Sequence, residues 1–144
     1  MTIQPMTRQH ASAVIHMMRE FYASDAVFTN GSPAIFENDV AACVGDSPFA
    51  EGFVFIENDS VCGYAMLAHS FSTEFGKRCV WLEDLFLKES ARGKGYATAF
   101  IEYLKTAYPD CVLRLEVEKE NTRAVATYRK NGFSFLPYDE MICR

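Results

Sequence analysis

Glu83 and Asp84 stand side by side within Val80 to Leu87, a run that otherwise reads as a buried strand. Carboxylates in such a run are costly unless they are paired, hydrated or functional. Side chains alternate across a strand, so these two point to opposite faces unless a bulge intervenes. In a cleft they can hold a cationic amine or accept its proton; at an exposed strand end they can simply pair with Lys77 or Arg78. Beyond the strand, Arg92-Gly93-Lys94-Gly95-Tyr96-Ala97-Thr98 leads into a helical stretch. Its glycines let the backbone come close to a ligand. No Ser, Asp or Asn caps the first helical amides, so a phosphate can take their place. An ordinary glycine turn between strand and helix has the same composition. The third candidate is Tyr128, on the stretch Asn121 to Lys130. It serves either as core or as a buried hydroxyl that needs a partner.

These residues have to be positioned by a small set of elements. Thr2 to Met6 reads as a strand and Arg8 to Ala23 as a helix with Val14, Ile15, Met18, Phe21 and Tyr22 on one face. Ser32-Pro33 starts a second helix running to about Val44. Gly52 to Glu57 and Val61 to Ala68, joined by Asn58-Asp59, predict a hairpin. Phe71 to Lys77 reads as a loop and Cys79 to Leu87 as the next strand. The helix Tyr96 to Tyr108 is stopped by Pro109, and Cys111 to Val117 alternates as a strand. Asn121 to Lys130 closes at Asn131-Gly132, and Phe133 to Leu136 with Asp139 to Cys143 predict a final pair of strands. The order β-α-α-β-β-β-α-β-α-β-β implies an α/β (α+β) fold with a mixed sheet and helices on both faces.

A chain of 144 residues fits a single domain, 1–144, with a proper core, and an apolar share of 49% excludes global disorder. The net charge of −5, with no dense Lys/Arg block, argues against nucleic-acid binding and suits a cationic substrate. Five scattered cysteines with no Cys-x-x-Cys pair predict reduced thiols in a cytoplasmic protein, and the three histidines show no zinc spacing with them, so no metal is expected. No secretory signal and no membrane-spanning run is visible. The glycine run comes late in the order rather than after the first strand, which argues against a dinucleotide site.

The strand end Leu85-Phe86-Leu87, the run Arg92-Gly93-Lys94-Gly95-Tyr96-Ala97 and the segment from Asn121 through Tyr128 to Gly132-Phe133 resemble the GNAT superfamily of acetyl-CoA-dependent N-acetyltransferases. The resemblance covers essentially the whole chain and includes the element order. Gly63-Tyr64-Ala65-Met66, Gly76-Lys77 and Leu82-Glu83-Asp84-Leu85 look like the polyamine (spermidine/spermine, diamine) branch. Lys88-Glu89-Ser90 departs from the family's proline-containing link.

The resemblance implies that the cofactor pyrophosphate lies on the amides of Gly93 through Thr98, with Arg92, Lys94 and Arg123 adding positive charge. It also implies that the pantetheine arm pairs with the main chain of Leu85, Phe86 and Leu87 and is hydrogen-bonded by Asn121. Glu83 is then the first candidate for substrate contact and proton acceptance, Asp84 the second, and Tyr128 the donor to the departing thiolate. The implied reaction is direct transfer of acetyl from acetyl-CoA to a primary amine of a small cationic acceptor. Alternatives are a protein N-terminus, a lysine side chain, an aminoglycoside, or a non-catalytic acyl-CoA sensor. Family analogy further implies a homodimer.

Overall fold

The computed structural model describes residues 1–143. The elements are β1 (Thr2–Pro5), α1 (Ala11–Tyr22, entered through a single 3-10 turn), α2 (Pro33–Val44), β2 (Ala50–Glu57), β3 (Ser60–Ser72), β4 (Lys77–Leu87), α3 (Tyr96–Ala107), β5 (Val112–Leu115) and α4 (Thr122–Lys130). Most starts and stops have local causes. Ser32 accepts from the Ile35 amide at 3.2 Å, with Pro33 in the first turn of α2. Asn58 and Asp59 carry φ of 50° and 57°, the left-handed pair that a tight two-residue hairpin requires.

The five strands lie in chain order, with β1 to β4 antiparallel and β5 parallel to β4. One face is covered by α1 and α2, whose Val14, Met17, Met18, Phe36 and Val40 pack on Val54, Tyr64, Met66 and Phe86. The other face takes Phe100 and Leu104 of α3, with Tyr128 of α4, over Phe53, Phe55, Ala65, Leu67, Val80 and Leu82. Strand periodicity alone accounts for this division: consecutive residues of β2 and β3 go to opposite clusters. Among the described residues no helix is long and apolar enough to cross a membrane.

Two departures from expectation matter. β3 and β4 extend into both ends of Phe71 to Lys77, leaving a four-residue turn, 73–76, with Gly76 at φ 61°. The expected C-terminal strands Phe133 to Leu136 and Asp139 to Cys143 are absent: residues 133–143 belong to no strand. Pro137 removes a ladder donor in the middle of that segment. Phe135, Leu136, Met141 and Ile142 are exposed, so neither side of it has a buried face to set a register.

Candidate active site

β4 is paired unequally on its two edges. With β3 it pairs along its whole length, from Ser72↔Lys77 to Gly63↔Leu87. With β5 it pairs only from Cys79↔Val112 to Leu82↔Leu115. From Glu83 onward the β5-side edge of β4 has no strand partner among the described residues, and the carboxylates stand where that pairing ends.

The same point carries a β-bulge. Met66 pairs with Asp84 and Leu67 with Leu82, so Glu83 has no partner on β3. The extra residue reverses the phase of the strand. Val80 and Leu82 face α3, and two residues on Asp84 would face it too. Instead Asp84 and Phe86 turn to the α1/α2 face, and Leu85 and Leu87 return to the α3 face. A sequence pattern of period two cannot show this shift, because the bulge depends on pairing with β3.

The bulge gives the two carboxylates different surroundings. Asp84 is 4% exposed. Its Oδ1 accepts from the Tyr22 hydroxyl at 3.2 Å and its Oδ2 from the Tyr64 hydroxyl at 2.9 Å. Burial raises its pKa to about 6, against the lowering effect of the two tyrosines, with Asp39 and Glu83 adding to the rise. Glu83 is exposed, and partial desolvation together with Glu140 raises it. Glu116, just past β5, is raised by desolvation and by Glu140 and Glu83. Among the described residues no Lys, Arg or His forms an ion pair with Glu83, Asp84, Glu116 or Glu140. Arg114, which acts electrostatically on Glu116, is stacked on Trp81 with its guanidinium 4.2 Å from the ring centroid. Sequence reasoning found Glu83 and Asp84 but missed Tyr64, Glu116 and Glu140. Only Tyr64 left a signal, as a polar-tipped aromatic in a strand of small and apolar residues.

Across the free edge lies the glycine run. Gly93 and Gly95 have φ of 76° and 81°, and no atom lies within 4 Å of where a Cβ would stand on either. Gly95 is the N-cap of α3 with no side-chain cap. The Ala99 amide is the first to bond back, to the Gly95 carbonyl at 2.9 Å, which leaves those of Tyr96, Ala97 and Thr98 without intrahelical partners. Lys94 does not stand free: its Nζ is 3.0 Å from both Glu57 carboxylate oxygens, and the Tyr96 hydroxyl donates to the same group. Those two donors hold Glu57 below its ordinary pKa. Arg92 is the cation facing the cleft, with Nε donating to the Leu87 carbonyl at 2.9 Å and its guanidinium 5.7 Å from the Phe86 ring centroid.

The Lys88 amide donates to the Cys62 carbonyl on β3. Main-chain groups alternate sides along a strand, so those of Phe86 also face β3, while those of Leu85 and Leu87 face the free edge. Of the three residues expected to pair with an extended ligand, two present their main chain to it.

α4 brings up the third candidate. Asn121 caps the helix, its Oδ1 accepting from the Ala124 amide at 3.2 Å. At the other end the Asn131 Nδ2 donates to the Thr98 hydroxyl at 3.2 Å, tying the end of α4 to the first turn of α3. Arg123 is exposed and sits about 12 Å along α4 from that tie, at 1.5 Å of rise per residue. Tyr128 is half-buried against the α3-side core, its ring edge-on to Phe133 with centroids 5.9 Å apart. Burial pushes its hydroxyl up to about 12. Among the described residues nothing hydrogen-bonds that hydroxyl.

A mixed sheet, with a free strand edge facing a glycine-rich, uncapped helix start, defines the class: an acyltransferase that draws its acyl group from a coenzyme A thioester. The sequence matches the acetyltransferase (GNAT) family over residues 15–133, and the chain belongs to that family. Enzymes of this family use acetyl-CoA as donor, and the protein is an N-acetyltransferase. The fold is similar to that of a possible acetyltransferase from Clostridium difficile 630, with a TM-score of 0.84, 19% identity, and coverage of 99% of this chain and 96% of that one. It is also similar to a ribosomal-protein-alanine N-acetyltransferase from Brucella melitensis biovar Abortus 2308, with a TM-score of 0.75, 14% identity, and coverage of 100% and 99%. A transcriptional regulator from Bacillus halodurans C-125 shares the fold at a TM-score of 0.79 and 15% identity, with coverage of 99% and 98%. No curated protein matches the chain.

Proposed function

We propose that the protein transfers acetyl from acetyl-CoA to a primary amine of a small cationic acceptor, with the polyamine and diamine class first among candidates. The observation that carries this reading is the carboxylate side of the cleft: Glu83 on the bulge, near Glu116 and Glu140, with no side-chain cation paired to any of them among the described residues. Carboxylates gathered with no ion-paired cation repel one another, Arg114 offsetting only part of this at Glu116, and a ligand ammonium relieves the rest.

The chain's own residues fit the donor. The left-handed glycines leave the space above them clear, the free amides of Tyr96, Ala97 and Thr98 suit a pyrophosphate, and Arg92 supplies positive charge. Lys94, held by Glu57, contributes less than a free lysine would. Leu85 and Leu87 can pair with an extended pantetheine arm as an edge strand does. Asn121 keeps its Nδ2 for the same arm, because only its Oδ1 is used in capping. Arg123 is assigned to the more distant part of the cofactor.

Acetyl-CoA supplies the thioester carbonyl at which an amine forms its C–N bond as the C–S bond breaks. Near neutral pH an alkyl ammonium of pKa about 10.4 must first lose a proton, at a cost of about 4 kcal/mol. Glu83, exposed and raised above an ordinary carboxylate, is the group assigned to take that proton directly or through water. No covalent acyl-enzyme enters the reading.

Three measurements bear on it. Thiol release from acetyl-CoA should be strong with diamines and polyamines and weak with peptide N-termini and aminoglycosides; the reverse order removes the small-cation acceptor. Glu83→Gln should lower kcat/KM by roughly 10²-fold and flatten the acidic limb of its pH profile; a wild-type profile would clear Glu83 of proton transfer. In the cradle, Gly95→Ala should raise the KM for acetyl-CoA about tenfold while costing only ~1 kcal/mol of stability, since the new Cβ meets ligand rather than protein. An unchanged KM would move the pyrophosphate elsewhere.

The reading extends to a homodimer, supported by the exposed Phe135, Leu136, Met141 and Ile142. A monomer in analytical ultracentrifugation at micromolar concentration would remove it.

A further inference from the structure

We propose that Tyr22 and Tyr64 are positioning residues for the acceptor side: their hydroxyls clamp both oxygens of Asp84 as a fixed carboxylate, leaving the neighbouring Glu83 as the mobile group that meets the amine. The inference rests on the acetyl-transfer reading above and divides the work of the two adjacent acids.

The geometry that carries it is the clamp. Tyr22 comes from the last turn of α1 and Tyr64 from the middle of β3, so two separate elements converge on one carboxylate, at 3.2 Å and 2.9 Å. Tyr64 is fully buried. Tyr22 is half-buried, wedged between Phe21 and Phe36 at ring-centroid distances of 5.4 Å and 5.2 Å. A carboxylate held from both sides cannot swing out to a substrate. Glu83, one residue earlier, has no β3 partner, and the bulge leaves its side chain exposed.

An aspartate serving only the core would be an expensive choice here, since an apolar residue could fill the same space against Met66 and Phe86. Among the described residues no cation acts on it. The groups facing it are Tyr22 of α1, Asp39 and Cys43 of α2, Tyr64 of β3 and Glu83 of β4. The two tyrosine hydroxyls are the favourable partners for the charged form, while burial and the acids oppose it. Both phenols are themselves driven upward by burial first and by Asp84 next, so they remain donors throughout the working range. With its pKa near 6, Asp84 is roughly nine-tenths ionised at pH 7, and the clamp keeps it so.

Removing one clamp hydroxyl should therefore change the charge of Asp84 rather than simply weaken the fold. In Tyr64→Phe the Asp84 carboxyl should titrate about one to two pH units higher, the loss of one hydrogen bond to a charged group. The acidic limb of kcat/KM for a diamine should move by the same amount, with the KM for acetyl-CoA unchanged and activity regained to within about threefold by pH 9. Tyr22→Phe should shift both in the same direction while leaving the buried Tyr64 in place, so the test survives if the Tyr64 variant folds poorly.

The decisive experiment pairs that pH profile with a carbon-13 titration of the Asp84 carboxyl in the wild type and both variants. An Asp84 titration that does not move overturns the clamp. A titration that moves while the rate profile stays put overturns its role at the acceptor. Wild-type protein that turns over no cationic amine refutes the function reading itself, a result seen before any variant is made, and takes the acceptor role with it.

Discussion

Replacing Tyr128 with phenylalanine is expected to lower kcat by roughly 10- to 150-fold, with acetyl-CoA affinity held within about twofold, the loss of one hydrogen bond to a developing charge. The hydroxyl is desolvated, its pKa is raised to about 12, and it has no protein partner among the described residues. Those facts favour one form of catalysis over another. A thiol of ordinary pKa, about 8.5, lies some 3.5 units below this phenol, so full proton transfer to the thiolate would be uphill by about 5 kcal/mol. Donating a hydrogen bond to the thiolate carries no such penalty. We therefore predict that kcat of the wild type shows no basic limb from Tyr128 below pH 10. Single-turnover rates and direct binding of acetyl-CoA separate the effects; a kcat equal to wild type would remove Tyr128 from the chemistry.

Replacing Asp84 with asparagine should make the protein more stable and less active. Asp84 titrates near 6 in the folded state and near 3.8 unfolded. A group raised on folding contributes stability that is complete below its unfolded pKa and is lost as pH rises through its folded pKa. By pH 8 the wild type has therefore given up about 3 kcal/mol, at 1.36 per unit, which a neutral amide does not surrender. Asp84→Asn should raise Tm by roughly 5–10 °C at pH 8 and by almost nothing at pH 3. If the buried charge supports Glu83 at the acceptor as proposed, kcat/KM for a diamine should fall at least about tenfold at pH 8. Thermal melts at the two pH values and one rate assay decide it. A variant less stable at pH 8 would mean that the tyrosine clamp outweighs burial, against the direction of the shift.

The other raised acids follow the same rule in weaker form. Glu83 and Glu116 are exposed and screened, so their effect belongs to binding rather than to stability.

Much of the cofactor side was legible because its causes are local. Two glycines forced into left-handed backbone, a helix start with nothing to cap it and a preceding apolar strand all lie within one short stretch. The acceptor side was only half legible. Glu83 and Asp84 drew attention as charges in a buried strand, but Tyr64 sits twenty residues upstream and Tyr22 sixty-two, and only folding brings their hydroxyls to Asp84. Lys94 reads as a free cation until Glu57, from the far end of β2, is seen to hold it. The C-terminal strands failed for a related reason: Phe133 to Leu136 and Asp139 to Cys143 read as a pair of strands, while pairing decides one.

By itself, then, the sequence determined the helices, the central hairpin, the glycine turn into α3 and the presence of two acids at one point on β4. These follow from periodicity, capping and backbone sterics, which act over a few residues. The tertiary structure alone decided where those two acids point. A single unpaired residue against β3 and the early end of β5 turn Asp84 inward to two tyrosines and leave Glu83 at the cleft, because strand register is a property of neighbours, not of the strand.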